Sequence, residues 1–162
     1  MNNLPIPAPE ALSHSQRLQQ VLSDELTSAG GWLSFARFME QLLYAPGLGY
    51  YTAGARKFGA AGDFITAPEM TALFGQALAR QVAQIMAASV PVVLEVGAGS
   101  GRLAADLLLA LEKANALPEH YFILDLSADL RQRQQETIAA AVPHLLSRVA
   151  WLDRLPEQFS GV

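Results

Sequence analysis

The chain has 162 residues, enough for one sizeable core, is 51% hydrophobic and carries a formal net charge of -4. That mild acidity speaks against a general nucleic-acid binder, whose electrostatic footprint is basic. The absence of cysteine excludes disulfides, thiolate nucleophiles and cysteine-based zinc sites.

The opening MNNLPIPAPEALSHSQR lacks the basic start and apolar core of a secretory signal, and its first arginine, Arg17, argues against a transit peptide. No run reaches the ~18 to 20 apolar residues that a membrane span needs. These features point to the cytoplasm. Pro5, Pro7 and Pro9 mark residues 1–10 as a disordered lead. Residues 11–89 read as a helical accessory region. In it, Leu18, Val21, Leu22 and Leu26 fall at helical spacing before Gly30 and Gly31. Ser34 caps a second helix that turns Phe35, Phe38, Met39, Leu42 and Leu43 inward and ends at Pro46 and Gly47.

A glycine-rich loop over 45–66 follows, and a loop this long inside a compact domain is usually functional. Its basic pair, Arg56 and Lys57, reads as solvated rather than as an anion site. Thr66 and Glu69 form a capping-box pattern with Pro68 in the first turn. The helix so started is expected to bury Leu73, Phe74, Ala77, Leu78, Val82, Ile85 and Met86. From Pro91 the pattern changes: PVVLEVG predicts a strand, RLAADLLLALEKA a helix and YFILDLS a second strand. Ser127 then caps the helix ADLRQRQQETIAAAV, a short helical piece follows Pro143, and RVAWLDRL predicts a third strand. Strands alternating with helices imply parallel βαβ units, so residues 90–162 form a Rossmann-like α/β half. His14, His120 and His144 are scattered without ligand spacing, so they read as structural or solvent-facing and no metal site is expected.

The chemistry concentrates where the first strand ends. Gly97 and Gly99 fit the dinucleotide fingerprint G-x-G-x-x-G, but Arg102 stands where its third glycine belongs, and Gly101 comes one position early. The pattern Glu95-x-Gly97-x-Gly99-x-Gly101 resembles motif I of class I S-adenosylmethionine-dependent methyltransferases. A backbone bare of side chains lets methionyl and adenosyl groups lie across the strand end, and the helix N-terminus is available to the cofactor carboxylate. Glu95 is placed to attract the cofactor ammonium. Asp125 closes the next strand, near the ~20-residue spacing of an acid that binds ribose hydroxyls. A tight turn for the glycines and a helix cap for Asp125 are the plainer alternatives.

The segments SFARFMEQLLYAPGLGYYTAG, KFGAAGDFITAPEMTALFGQ, LEVGAGSG and YFILDLSADLRQRQ together resemble the MidA-like family, from about residue 15 to the end of the chain. The block holding Gly62, Asp63, Phe64, Thr66, Pro68 and Glu69 is its most specific part. The resemblance implies a Rossmann-like class I methyltransferase sheet preceded by a helical region, with bound S-adenosyl-L-methionine. It also implies a protein arginine substrate, since the mitochondrial members are arginine methyltransferases acting in respiratory complex I assembly; a bacterial relative fits this opening better. Gly62 and Thr66 then join Glu95, Gly97, Gly99, Gly101 and Asp125 as cofactor-binding residues.

An arginine guanidinium needs carboxylates to orient it and lessen its charge. Asp63 and Glu69 are the loop acids available for that catalytic role; a turn residue and a capping-box residue are their plainer readings. The closing LPEQFSGV reads as a fourth strand only begun, so three to four parallel strands are expected, as the N-terminal part of a larger enzyme whose C-terminal part is missing and which is inactive alone. Two other functions stay open: a non-catalytic S-adenosylmethionine-binding or assembly module, and an NAD-dependent oxidoreductase, against which Arg102 speaks.

Overall fold

The structure, a computed structural model, describes residues 6–53 and 65–162. The chain divides into two compact units, residues 1–55 and 56–162.

In the first unit, α1 (Pro9–Ser28) starts with a proline in its first turn, where a missing N–H costs nothing. Helix α1 therefore begins inside the stretch expected as a disordered lead. Helix α2 (Phe35–Tyr44) is capped as expected: the Ser34 hydroxyl accepts the Arg37 backbone N–H at 3.2 Å. Arg37 ties the two helices through an ion pair with Glu25. The expected inward face of α2 is only partly covered, for Phe35 is 75% and Phe38 38% exposed.

The second unit opens with α3 (Ala67–Met70) and α4 (Leu73–Ala88) and continues as β1 (Val92–Val96), α5 (Arg102–Lys113), β2 (His120–Leu124) and α6 (Ala128–Ala141). A 3-10 turn (Pro143–Arg148) and β3 (Val149–Leu152) complete it. The strands pair in parallel in the order β1-β2-β3, with Val93 beside Tyr121 and Tyr121 beside Val149. This is the α/β arrangement expected from the sequence. Ser127 caps α6 by accepting the Leu130 N–H at 3.3 Å.

On the side of β1 away from β2, Val162 donates its N–H to Val92 O at 2.9 Å and accepts from Leu94 N at 2.8 Å. Those two bonds are the pattern of a parallel pair. The chain thus leaves β1 toward β2 and returns to the opposite edge of the same strand. In open α/β sheets such a reversal marks the crevice at the strands' carboxyl ends where ligands bind.

Helix α4 packs on α5, which also contacts α6. Leu108, Leu111, Ile123 and Ile138 are fully buried in this core. Because α4 packs with the sheet unit, the division of the chain falls at residue 55 and not at the expected 89. The expected single helix from Thr66 is broken by the extended Thr71 (φ -163°), and its buried face is also corrected. Gly75, Ala79, Val82 and Met86 face inward, whereas Leu73, Phe74 and Ile85 are 68%, 42% and 47% exposed. A Cβ on Gly75 would lie 2.8 Å from Asp106 Cβ, so the small residues of α4 make the close approach to α5. Val82 and Met86 are thus buried as expected, and Leu73, Phe74 and Ile85 are not, because the close approach to α5 runs along Gly75 and Ala79.

Met86→Ala is expected to cost about 2–5 kcal/mol of stability in chemical denaturation, and Leu73→Ala to stay within about 0.5 kcal/mol.

Candidate active site

The site is built at the carboxyl end of β1. Residues at alternate positions of a strand share a face, so Val93 and Glu95 point the same way. Tyr121, the register partner of Val93, lies on that face too, and its hydroxyl donates to Glu95 Oε2 at 2.7 Å. Beyond Glu95 the ladder runs one step further, from Gly97 N to Leu124 O at 2.9 Å, before the chain turns. The turn needs left-handed backbone at Gly97 (φ 72°), Gly99 (φ 55°) and Gly101 (φ 83°), conformations that glycine alone adopts without penalty.

A cleft of about 300 Å³ opens above this turn. Glu95, Gly97 and Gly99 line it, with Thr66, Glu69 and Phe74 on the facing wall. Among the described residues, none would come within 4 Å of a Cβ at Gly97. A ligand can therefore lie directly on the main chain at that point.

Burial pushes the Glu95 carboxyl above its ordinary range; the Tyr121 hydroxyl pulls it partly back, and the charge of Asp125 adds to the rise. Burial likewise raises the Tyr121 phenol, and the neighbouring Glu95 charge adds to that. A half-buried carboxyl with one fixed donor gains from an incoming cation, and the poorly screened surroundings strengthen the attraction.

Asp125 is differently placed. It is buried, its Oδ1 accepts from Ser127 N at 3.0 Å and its Oδ2 accepts from the Gln134 amide at 2.8 Å. Both oxygens are held by internal donors, and each keeps a free lone pair. The cap of α6 is Ser127 and not Asp125, whose bond from Ser127 N holds the turn before the helix and does not use up the carboxylate.

Two expectations need correction. Neither Gly101 nor Asp125 is among the residues that line the cleft, and a Cβ on Gly101 would come within 2.8 Å of Gln134 Cα, so this glycine lets α6 approach the turn. The capping box at Thr66 does not form either, because α3 has no side-chain cap and Glu69 instead accepts from the Ser100 hydroxyl across the cleft. A helix of four residues offers little to cap, and the glycine turn presents a hydroxyl donor in reach. Gly62 and Asp63 lie outside the described residues. Sequence reasoning missed Ser100, Tyr121 and Gln134. Ser100, standing between two of the glycines, is the one that carried a local signal.

The cleft suits S-adenosylmethionine, which brings an ammonium group, a carboxylate and a ribose diol. Glu95 offers a carboxyl at the wall, Gly97 leaves the main chain open, and α5 starts directly behind the turn.

Comparison with known proteins agrees with this geometry. Residues 77–162 match a family described as "Putative S-adenosyl-L-methionine-dependent methyltransferase", and the chain belongs to that family. The mitochondrial protein arginine methyltransferase NDUFAF7 homolog of Caenorhabditis elegans is 31% identical over 138 residues, which is 81% of this chain and 32% of the relative. The mitochondrial NDUFAF7 arginine methyltransferase of Danio rerio is 40% identical over 84 residues, 49% of this chain and 20% of its own length. A crystal structure of a Burkholderia thailandensis protein bound to S-adenosyl-homocysteine superposes with a TM-score of 0.87 at 52% identity, covering 97% of this chain and 42% of that one. The chain spans less than half the length of these relatives. The fold, the family and its S-adenosylmethionine dependence are those that the sequence resemblance implied.

The cytoplasmic expectation is overturned. The relatives from Caenorhabditis elegans, Danio rerio, Drosophila melanogaster and Rattus norvegicus are all mitochondrial proteins. Composition and cysteine usage do not report a cellular address, which receptors read from targeting segments and not from the fold.

Because the raised Glu95 carboxyl keeps its proton to higher pH in the folded chain than in the unfolded one, the folded state binds more protons between the two values. Stability is therefore full below the ordinary glutamate range and falls as pH rises through the Glu95 value. Denaturation at a series of pH values should show that decline in the native chain, and Glu95→Gln should flatten it. Gly101→Ala should destabilise by about 2–4 kcal/mol in the same assay, from left-handed backbone strain and the collision with α6.

Proposed function

We propose that this chain forms the cofactor-binding part of an S-adenosylmethionine-dependent methyltransferase that acts on protein arginine side chains. The observation that carries the reading is the cleft at the end of β1, where a half-buried carboxyl and a glycine main chain clear of other described residues meet at the reversal of strand order. Residues 56–162, in which α3 and α4 pack with the sheet, are then the N-terminal part of the cofactor domain.

S-adenosylmethionine, when bound, supplies a methyl group on a sulfonium that is already a good leaving group. What remains for the protein is alignment and electrostatics. Glu95 holds the ammonium end and Gly97 and Gly99 give the main chain over which the ligand lies. Asp125 receives the ribose hydroxyls on its free lone pairs. Thr66 lines the cleft opposite the turn, and Gly62 is assigned to the cofactor by the family resemblance alone. Glu69, turned into the cleft by Ser100, acts with Asp63 to orient the incoming guanidinium and to offset its positive charge. The arginine acceptor is supported by the names of the NDUFAF7 relatives.

Titration calorimetry with S-adenosylhomocysteine tests the cofactor reading. The native chain should bind it. Gly97→Asn should weaken binding by on the order of 10-fold or more while leaving the melting temperature nearly unchanged, since asparagine tolerates left-handed backbone and its side chain enters the cleft. No heat from the folded native chain would discard the assignment. Transfer of labelled methyl to an arginine peptide but not to its lysine counterpart is the result expected for the acceptor.

A further inference from the structure

Helix α6 carries a glutamine where a core residue would be expected. Gln134 is fully buried, and an amide in such a place is costly unless all of its hydrogen bonds are made. They are made, to three separate elements. Its Nε2 donates to Gly99 O at 3.1 Å and to Asp125 Oδ2 at 2.8 Å, and its Oε1 accepts from the Trp151 indole Nε1 at 2.8 Å. One side chain therefore joins the glycine turn after β1, the acid after β2 and the tryptophan of β3.

The chemistry of the partners fixes which way the amide points. An indole N–H can only donate, and a carbonyl and a carboxylate can only accept. Flipping the amide would set N–H against N–H and oxygen against two oxygens. Trp151 thereby sets the orientation, and Gln134 transmits it to Asp125. With Ser127 N on the other oxygen, the Asp125 carboxylate is held at both ends. Gly101 has its place in the same device, because any side chain there would keep α6 from coming close enough for Gln134 to reach the turn.

We infer that Gln134 is a positioning residue: its amide, oriented by Trp151, holds the Asp125 carboxylate and the Gly99 carbonyl in the geometry that receives the ribose of an adenosyl ligand. This rests on the cofactor reading given above. The gain is pre-organisation, since a carboxylate already locked in place loses no freedom when the diol arrives.

Calorimetry on the native chain, Gln134→Met and Trp151→Phe tests the inference with two ligands, S-adenosylhomocysteine and its analogue lacking both ribose hydroxyls. Gln134→Met should weaken S-adenosylhomocysteine by on the order of 10-fold, the scale of one lost hydrogen bond to a charged group, and change the analogue less than about twofold. Trp151→Phe, which keeps an aromatic ring in β3 and removes only the orienting donor, should show the same selectivity with a loss of roughly threefold. It decides the matter if Gln134→Met does not fold. Equal losses for both ligands, or none for either, would reduce Gln134 to a packing residue and overturn the inference alone. A native chain that binds neither ligand overturns the cofactor reading and this inference with it.

Discussion

The close approach of α6 to the turn after β1 is the constraint on which the site depends. Gly101 stands at the start of α5 with left-handed backbone, and Gln134 Cα occupies the space where any side chain on it would sit. That contact brings a buried amide to the glycine turn and to Asp125 at once. The third glycine of the motif thus does different work from the first two. Gly97 keeps the cleft open, whereas Gly101 lets two pieces of protein meet.

Two carboxyl groups border the ligand end of the sheet, and the structure treats them oppositely. Asp125 is given fixed donors on both oxygens, so its orientation is settled before anything binds. Glu95 receives a single hydroxyl, from Tyr121, and is otherwise left with the penalty of burial. A carboxyl in that condition is best relieved by a cation, while one already satisfied by neutral donors is suited to accept from neutral hydroxyls. In the cofactor reading proposed above, that electrostatic difference assigns the ammonium to Glu95 and the diol to Asp125.

The wall opposite the turn comes from residues outside the βαβ repeat. Helices α3 and α4 belong to the same compact unit as the sheet, through Gly75 against Asp106 and through Ala79, Val82 and Met86 in the core. Glu69 and Phe74 consequently reach the cleft from within the same compact unit. Val162, on the free edge of β1, makes that strand interior to the ladder and sets the reversal beside which the cleft lies.

Much of this was legible in the residues. The three strands, the helices between them, the caps at Ser34 and Ser127 and the glycine turn behind Glu95 all follow from local pattern, because each depends on neighbours within a few positions. What the sequence could not decide were distances between elements far apart in the chain. Helix α4 turns its small residues inward because α5 comes close. Glu69 leaves its own helix to meet Ser100, and Gln134 looks like any polar residue of a solvated helix until β3 and the glycine turn surround it. Local sequence determined which elements exist and where a bare main chain would be exposed. Only the tertiary packing decided which side chains face that main chain, since hydrogen bonds across many residues are settled by how closely the helices and strands can approach one another.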